Sequence, residues 1–393
     1  MKSIICSGII MIRKIVLAPD SFKGCLSAAD VAEACLRAIR SVAPGCEAVK
    51  LPVADGGEGT SRAVTEATGG DFVQCQVCDP LMRPVTATYG ISPDGTTAYM
   101  EMAQASGIAL LDADELNPME TTSFGTGQMI LDAIRRGCSD IILGIGGSAT
   151  TDAGTGMLQA LGYRFLDGNG KPLAHGGKIL SEIRAIDSSG VEPRLRSTRI
   201  SVACDVNNPL YGPRGAACVF APQKGADAEM VRLLDIGLRN FARIVTSSSL
   251  PRIDDFPGAG AAGGLGGALV SFLGADMRPG IDLVLDATGF DTKLRDADIV
   301  ITGEGKMDAQ TCMGKAPWGV MKRAARSGIP TIAIAGAVED TEDLIAAGFT
   351  AVFCIQQGAV QPRQAMEPDI ALRNITVTMA QILRTLNARC GSL

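Results

Sequence analysis

The chain has 393 residues, 46% apolar and 20% charged, the composition of a globular protein long enough for two domains. Its net charge of −6 gives no reason to expect nucleic acid or an anionic membrane surface as a partner. The single histidine, His175, and 12 scattered cysteines, of which only Cys75 and Cys78 have metal-like spacing, argue against a zinc site and against Ser-His-Asp or Cys-His chemistry.

Lys2 to Ile12 faintly imitate a signal peptide, but Arg13-Lys14 interrupt the run and no small-residue cleavage site follows. Met11 is an alternative start, no segment has the length and purity of a membrane span, and a cytoplasmic protein is expected. Lys14 to Ala18 is a buried-strand run that ends in Pro19-Asp20-Ser21-Phe22-Lys23-Gly24, a turn with a carboxylate, a hydroxyl and a lysine. Ser27 then caps a helix with Asp30 three residues on, a capping box, and Val31, Cys35, Ile39 and Val42 give that helix one apolar face. Ala48 to Val53 is a second strand, emptying into Ala54-Asp55-Gly56-Gly57-Glu58-Gly59-Thr60 and a helix to about Thr68. This βαβα pattern predicts a parallel sheet.

The pattern then changes. Phe72 to Val77, Thr86 to Ile91 and Ala98 to Met102 are short alternating runs separated by turns, and they read as antiparallel strands. Gly125 to Arg136 is helical, and Asp140 to Leu143 is a strand ending in Gly144-Ile-Gly-Gly-Ser148-Ala-Thr-Thr151-Asp152. Ile200 to Ala203 is a further strand, a helix follows from about Asp227 to Thr246, and Gly258 to Gly267 reads as the return crossing between domains. β and α then alternate again: strand 298–302, helix 317–326, strand Thr331 to Ala335, helix Thr341 to Ala347, strand Ala351 to Cys354 and a last helix from about Ile370 to Ala388. Two βα units before the middle region and three after it make the count of a flavodoxin-like sheet of order 2-1-3-4-5. The expected fold is α/β: a flavodoxin-like parallel sheet domain of residues 11–70 plus 261–393, interrupted by an inserted mixed α/β domain of residues 71–260.

In such a sheet ligands sit outside the carboxyl ends of the strands, where strand order reverses. The loops at that point carry Asp20, Ser21 and Lys23 after the first strand, and Gly303-Glu304-Gly305-Lys306 with Asp308 and Lys315 after the third. The second strand adds Asp55 and Glu58. Glycine turns with lysines and carboxylates suit phosphoryl transfer, in which backbone N–H groups and lysine hold phosphate charge and carboxylates hold Mg²⁺ or accept a hydroxyl proton. The Gly144, Gly146, Gly147 and Ser148 loop resembles a phosphate cradle in composition, without the Walker lysine and without a clear dinucleotide spacing.

From Met11 onward the chain resembles the type-1 glycerate kinase family of bacteria. The resemblance is carried by Ala18-Pro-Asp-Ser-Phe-Lys-Gly24, Pro52-Val-Ala-Asp-Gly-Gly-Glu-Gly-Thr60, Thr121-Thr-Ser-Phe-Gly-Thr-Gly127 and Gly144-Ile-Gly-Gly-Ser-Ala-Thr150. Pro222-Gln-Lys-Gly225, Gly258-Ala-Gly-Ala-Ala-Gly-Gly264, and Gly303-Glu-Gly305 with Asp308, Gln310 and Gly314-Lys315 complete it. It implies ATP- and Mg²⁺-dependent phosphorylation of D-glycerate at the 2-hydroxyl, giving 2-phospho-D-glycerate. On that reading Lys23, Asp55 and Asp308 are catalytic, with Asp55 or Asp308 accepting the proton, and Asp20, Ser21, Lys23 and Glu58 hold substrate. Gly144, Gly146, Gly147, Ser148, Gly303, Gly305, Lys306 and Lys315 hold the phosphates of ATP, and Asp152 and Glu304 hold Mg²⁺. Thr151 stands where Asn is usual, Cys25 where Ser is usual and Lys306 where Arg is usual; lysine keeps the charge but loses the bidentate fork. A kinase for another small hydroxy acid and a non-catalytic ligand sensor are the alternatives, and a homodimer is left open.

Overall fold

The structure is a computed structural model and describes residues 12–254 and 256–387. The proposed start at Met11, residues 1–10 and the end of the last helix at Ala388 lie outside the described residues. The chain divides into two compact units, the first running to Asp55 and resuming at Leu285, the second spanning Gly56–Val284.

The first unit is a five-stranded parallel sheet of β1 (Lys14–Pro19), β2 (Glu47–Lys50), β11 (Ile299–Met307), β12 (Thr331–Val338) and β13 (Ala351–Cys354), numbered along the whole chain. Its strand order, β13-β12-β11-β1-β2, is the 2-1-3-4-5 order expected from the sequence. β1 is buried along nearly its length because helices cover both faces of the sheet. The helix Ala28–Val42 begins with the expected capping box, Ser27 Oγ accepting from the Asp30 N–H and Asp30 answering the Ser27 N–H. Its apolar face packs on β1 and on the last helix, Pro368–Leu386.

The second unit is a six-stranded mixed sheet of β3 (Asp71–Cys78), β4 (Pro84–Ile91), β5 (Thr97–Glu101), β6 (Asp140–Gly144), β9 (Arg199–Ala203) and β10 (Asp276–Arg278), in the order β10-β9-β6-β5-β4-β3. β3, β4 and β5 pair antiparallel as expected, and β5, β6, β9 and β10 continue in parallel. A separate hairpin pairs β7 (Arg164–Leu166) with β8 (Ala185–Asp187).

The two compact units divide at 55/56 and 284/285, and the expected domain bounds are 70/71 and 260/261. Helix Thr60–Thr68 belongs to the second unit because it packs on β4 and β5, with Ser61 Oγ donating to the Tyr99 carbonyl at 2.7 Å. Gly258–Gly267 is not a crossing but a packing element of that unit. Ala153 N–H donates to the Gly263 carbonyl at 3.0 Å, and a Cβ on Gly263 would stand 2.0 Å from the Thr150 carbonyl oxygen. Finally, Gly303 to Met307 is not a turn. It continues β11, in register with β12 as far as Met307 opposite Val338.

Candidate active site

In the first unit the expected residues gather over the carboxyl ends of β1 and β11, the point at which strand order reverses. β1 delivers the Asp20 turn, whose backbone N–H donates to the Gly303 carbonyl of β11 at 2.8 Å. Asp20 is buried, and its carboxylate accepts from the Ser21 N–H at 2.6 Å. Burial, then the negative charges of Asp55 and Glu304, push the Asp20 carboxyl up to about 7, against the Ser21 N–H and Lys23. Lys23 Nζ stands 3.3 Å from Asp55 Oδ2. Burial works against the Lys23 charge, but Asp55, Asp20 and Glu304 outweigh it and hold the ammonium above its usual range.

A second knot lies along the end of β11. Glu304 is buried and takes a 2.7 Å bond from the Thr311 hydroxyl, with Lys315 Nζ 3.5 Å from its other oxygen. Burial raises the Glu304 carboxyl, Thr311 and Lys315 pull it down, and Asp308 raises it again, leaving it above its ordinary value. Asp308 caps the short turn Ala309–Met313 by accepting from the Gln310 N–H at 3.0 Å, while its own N–H donates to Thr311 Oγ1 at 3.2 Å. Lys306 and Lys315 flank its carboxylate at 3.5 and 3.9 Å, and Lys306 also pairs with Glu339 at 2.9 Å. Thr311 thus links Asp308 to Glu304, a role that no motif signalled.

Gly303 and Gly305 do not form the phosphate turn that their spacing suggested. A Cβ on Gly303 would lie 2.0 Å from the Ile334 carbonyl oxygen, so glycine there answers to strand packing. The carbonyl of Gly305 presses on Gly336, 2.7 Å from where a Cβ would stand.

Six expected residues lie in the second unit. Glu58 is exposed on the loop before helix Thr60–Thr68. The sequence missed its neighbour Glu101 at the end of β5. That buried carboxylate accepts from the Ser61 N–H at 2.8 Å and the Gly59 N–H at 3.2 Å, and so caps the helix in place of a side chain at Gly59. Burial raises Glu101, the two N–H groups lower it and Glu58 raises it, for a net upward displacement.

Gly144 is buried, with Gly56 O 2.8 Å from its Cβ position, while Gly146 and Gly147 are exposed. Gly147 has a φ of +71°, and the N–H groups of Gly146, Gly147 and Ser148 meet no acceptor among the described residues. A run of N–H groups without acceptors favours an anion. Ser148 Oγ accepts from the Thr150 N–H at 3.1 Å. The loop is held from beneath by Lys224, a fully buried lysine of the Pro222–Gly225 motif whose Nζ donates to the Thr150 carbonyl and lies 3.4 Å from Ser148 Oγ. Burial pushes the Lys224 ammonium down to about 7, with Asp152 opposing.

Asp152, expected to hold Mg²⁺, is a structural hub. It is completely buried, and its Oδ2 accepts from Ser123 N and Ser123 Oγ at 2.8 Å and from Gly156 N at 3.2 Å, while Oδ1 accepts from Gly154 N at 3.1 Å. Both oxygens are committed to holding two backbone turns together. Thr151 beside it is buried and its hydroxyl has no partner among the described residues. His175 packs with Nδ1 2.8 Å from Gln159 Oε1 and its ring edge-on to Phe124. Among the described residues no helix is long and apolar enough to cross a membrane.

Residues 15–387 match the glycerate kinase family. A glycerate kinase of Bacillus subtilis (strain 168) is 49% identical over 355 residues, which cover 90% of this chain and 93% of that protein. A glycerate 2-kinase of Escherichia coli (strain K12) is 46% identical over 343 residues, 87% of this chain and 90% of that one. The crystal structure of a Salmonella typhimurium LT2 protein described as a glycerate kinase 2 superposes with a TM-score of 0.88 at 45% identity, covering 95% of this chain and 98% of the other.

Proposed function

This chain belongs to the glycerate kinase family, and from that premise we propose that it transfers the γ-phosphoryl group of ATP to the 2-hydroxyl of D-glycerate, in the cytoplasm, giving ADP and 2-phospho-D-glycerate. The observation that carries the reading is the knot of Lys23, Asp20, Asp55 and Glu304 at the switch point of the parallel sheet, flanked by Lys306 and Lys315. Lys23 attracts the glycerate carboxylate, with the Ser21 hydroxyl as a second contact. Asp55 accepts the proton of the attacking hydroxyl as its oxygen bonds to the γ-phosphorus and the bond to the ADP oxygen breaks. Lys306 and Lys315 bear on the charge of the phosphate chain, and Asp308 positions both. Within the second unit, the N–H groups of Gly146, Gly147 and Ser148, which meet no acceptor among the described residues, suit an anion.

Among the described residues no three acids converge into a metal cage of their own. Mg²⁺ in kinases needs only one or two carboxylates, the other positions going to phosphate oxygens and water. Asp20 and Glu304, both raised by burial and by neighbouring acids, are the donors that suit it, since a cation relieves that repulsion. When bound, the ion offsets charge on the phosphate oxygens. The test is ADP release from ATP by the purified chain with D-glycerate and with a panel of other small hydroxy acids. A kcat/KM for D-glycerate at least tenfold above the rest is expected. A better acceptor among the others moves the substrate, and no release with any acid returns the chain to the ligand-sensor alternative.

A further inference from the structure

We infer that a cavity in the first unit, over the carboxyl ends of β11, β12 and β13, binds the nucleoside end of the phosphoryl donor, with the adenosine ring against Ile355, Val360 and Met366 and the phosphate chain running toward Lys23, Lys306 and Lys315. The inference rests on the kinase reading of the adjoining rim. The cavity has a volume of about 640 Å³, within the ~300–1,000 Å³ of small-molecule sites. None of the loop residues from Gly336 to Met366 that line it belongs to the motifs that identified the rim.

Its lining changes character along the sheet. Near β1 and β11 it carries three ammonium groups and the Glu304 carboxylate. Toward β13 it carries Ile355, Val360, Pro362 and Met366, with Ala337 and Ala359 between. Three strand spacings of ~4.8 Å separate β1 from β13, so the ligand must be elongated as well as two-sided. D-glycerate has no apolar part to set against the far end. A polyphosphate joined to an aromatic base has both. Val360 and Met366 are 37% and 49% exposed, large apolar side chains that a flat ring would cover.

The wall is fixed rather than loosely hung. Gln356 Nε2 donates to the Gly336 carbonyl at 3.1 Å, and Asn374 Nδ2 donates to Gln356 Oε1 at 3.4 Å. The Ile355 N–H donates to the Ala335 carbonyl at 2.9 Å. Gly24, at a φ of +76°, leaves 3.3 Å between its Cβ position and the Met366 methyl, so the Lys23 turn and the apolar wall meet there. The small residues matter at the exposed positions Ala337 and Ala359, where bulk added to the side chain goes into the cavity and not into the core.

The experiment measures binding of ATP and of inorganic tripolyphosphate, by calorimetry in Mg²⁺ buffer, to the full chain and to its Ala337→Phe and Ala359→Trp variants. The expected result is an ATP Kd raised at least tenfold in both variants with the tripolyphosphate Kd within twofold of wild type. An unchanged ATP Kd overturns the inference, and so does a parallel weakening of both ligands, which would mean a collapsed rim. Glycerate-dependent turnover of the wild type is followed alongside. A wild type that binds ATP through this cavity yet leaves D-glycerate unmodified supports the inference while refuting the substrate reading.

Discussion

Replacing Asp20 by Asn tests the electrostatics of the rim. Asp20 holds its proton to about pH 7 in the folded protein against an ordinary value of 3.8, chiefly because it is buried and faces Asp55. Between those two values the folded state binds a proton that the unfolded state has lost, so the Asp20 contribution to stability falls as pH rises from about 4 to about 7 and is level above. A difference of about 3 pH units at ~1.4 kcal/mol each bounds the loss at about 4 kcal/mol. Relaxation of a partly hydrated rim brings the expectation to about 2 kcal/mol. Asn mimics the protonated carboxyl in shape and still accepts from the Ser21 N–H. Urea unfolding followed by circular dichroism should therefore find Asp20→Asn more stable than wild type by about 2 kcal/mol at pH 8, with the gap closing toward pH 4.5. Activity should fall at every pH. A stability difference that stays constant with pH, or widens on acidification, would refute the placement of Asp20 as a buried carboxyl facing Asp55.

Asp55→Asn should lower kcat by roughly 10²–10⁴ with little change in melting temperature, and wild-type turnover would remove Asp55 as the base. Asp308→Asn should raise KM for ATP more than that for D-glycerate, because Lys306 and Lys315 lose a shared partner; steady-state kinetics separates the two. Asp152→Asn should cost about 2–4 kcal/mol of stability in denaturant titration, since a buried carboxylate accepting several N–H and O–H bonds is replaced by an amide with one acceptor. Unchanged stability with lost Mg²⁺ binding would restore its metal role. Thr151→Val should raise stability by about 1 kcal/mol by removing a buried hydroxyl without a partner, and a lower melting temperature would show that the hydroxyl is in fact satisfied.

Alternation of strand and helix made the five-stranded sheet legible, because each buried parallel strand is a nearly continuous apolar run bounded by turn residues. The capping box at Ser27 and Asp30 was legible for a similar local reason. Gly303 to Lys306 was misread because glycine marks a turn and a tight strand contact equally well in one dimension, and only the carbonyl of Ile334 decides between them. Helix Thr60–Thr68 could by sequence have packed on either sheet; the bonds from Ser61 to Tyr99 and Glu101 assign it to the second. The structural partners of Asp152 were not legible because an aspartate after a glycine loop looks alike as ligand and as cap. Its partners Ser123 and Gly156 lie 29 and 4 residues away and carry no signal of their own. The rim residues on the first unit were legible as a set only because strand order 2-1-3-4-5 brings the ends of β1 and β11 side by side.

The central measurement is the identity of the product. Purified chain, ATP, Mg²⁺ and D-glycerate, followed by ³¹P and ¹³C NMR, should yield one ADP and one 2-phospho-D-glycerate per turnover, with the phosphorus coupled to C2. A phosphate on the 3-oxygen, or ADP formed at the same rate without D-glycerate, would contradict the proposed reaction.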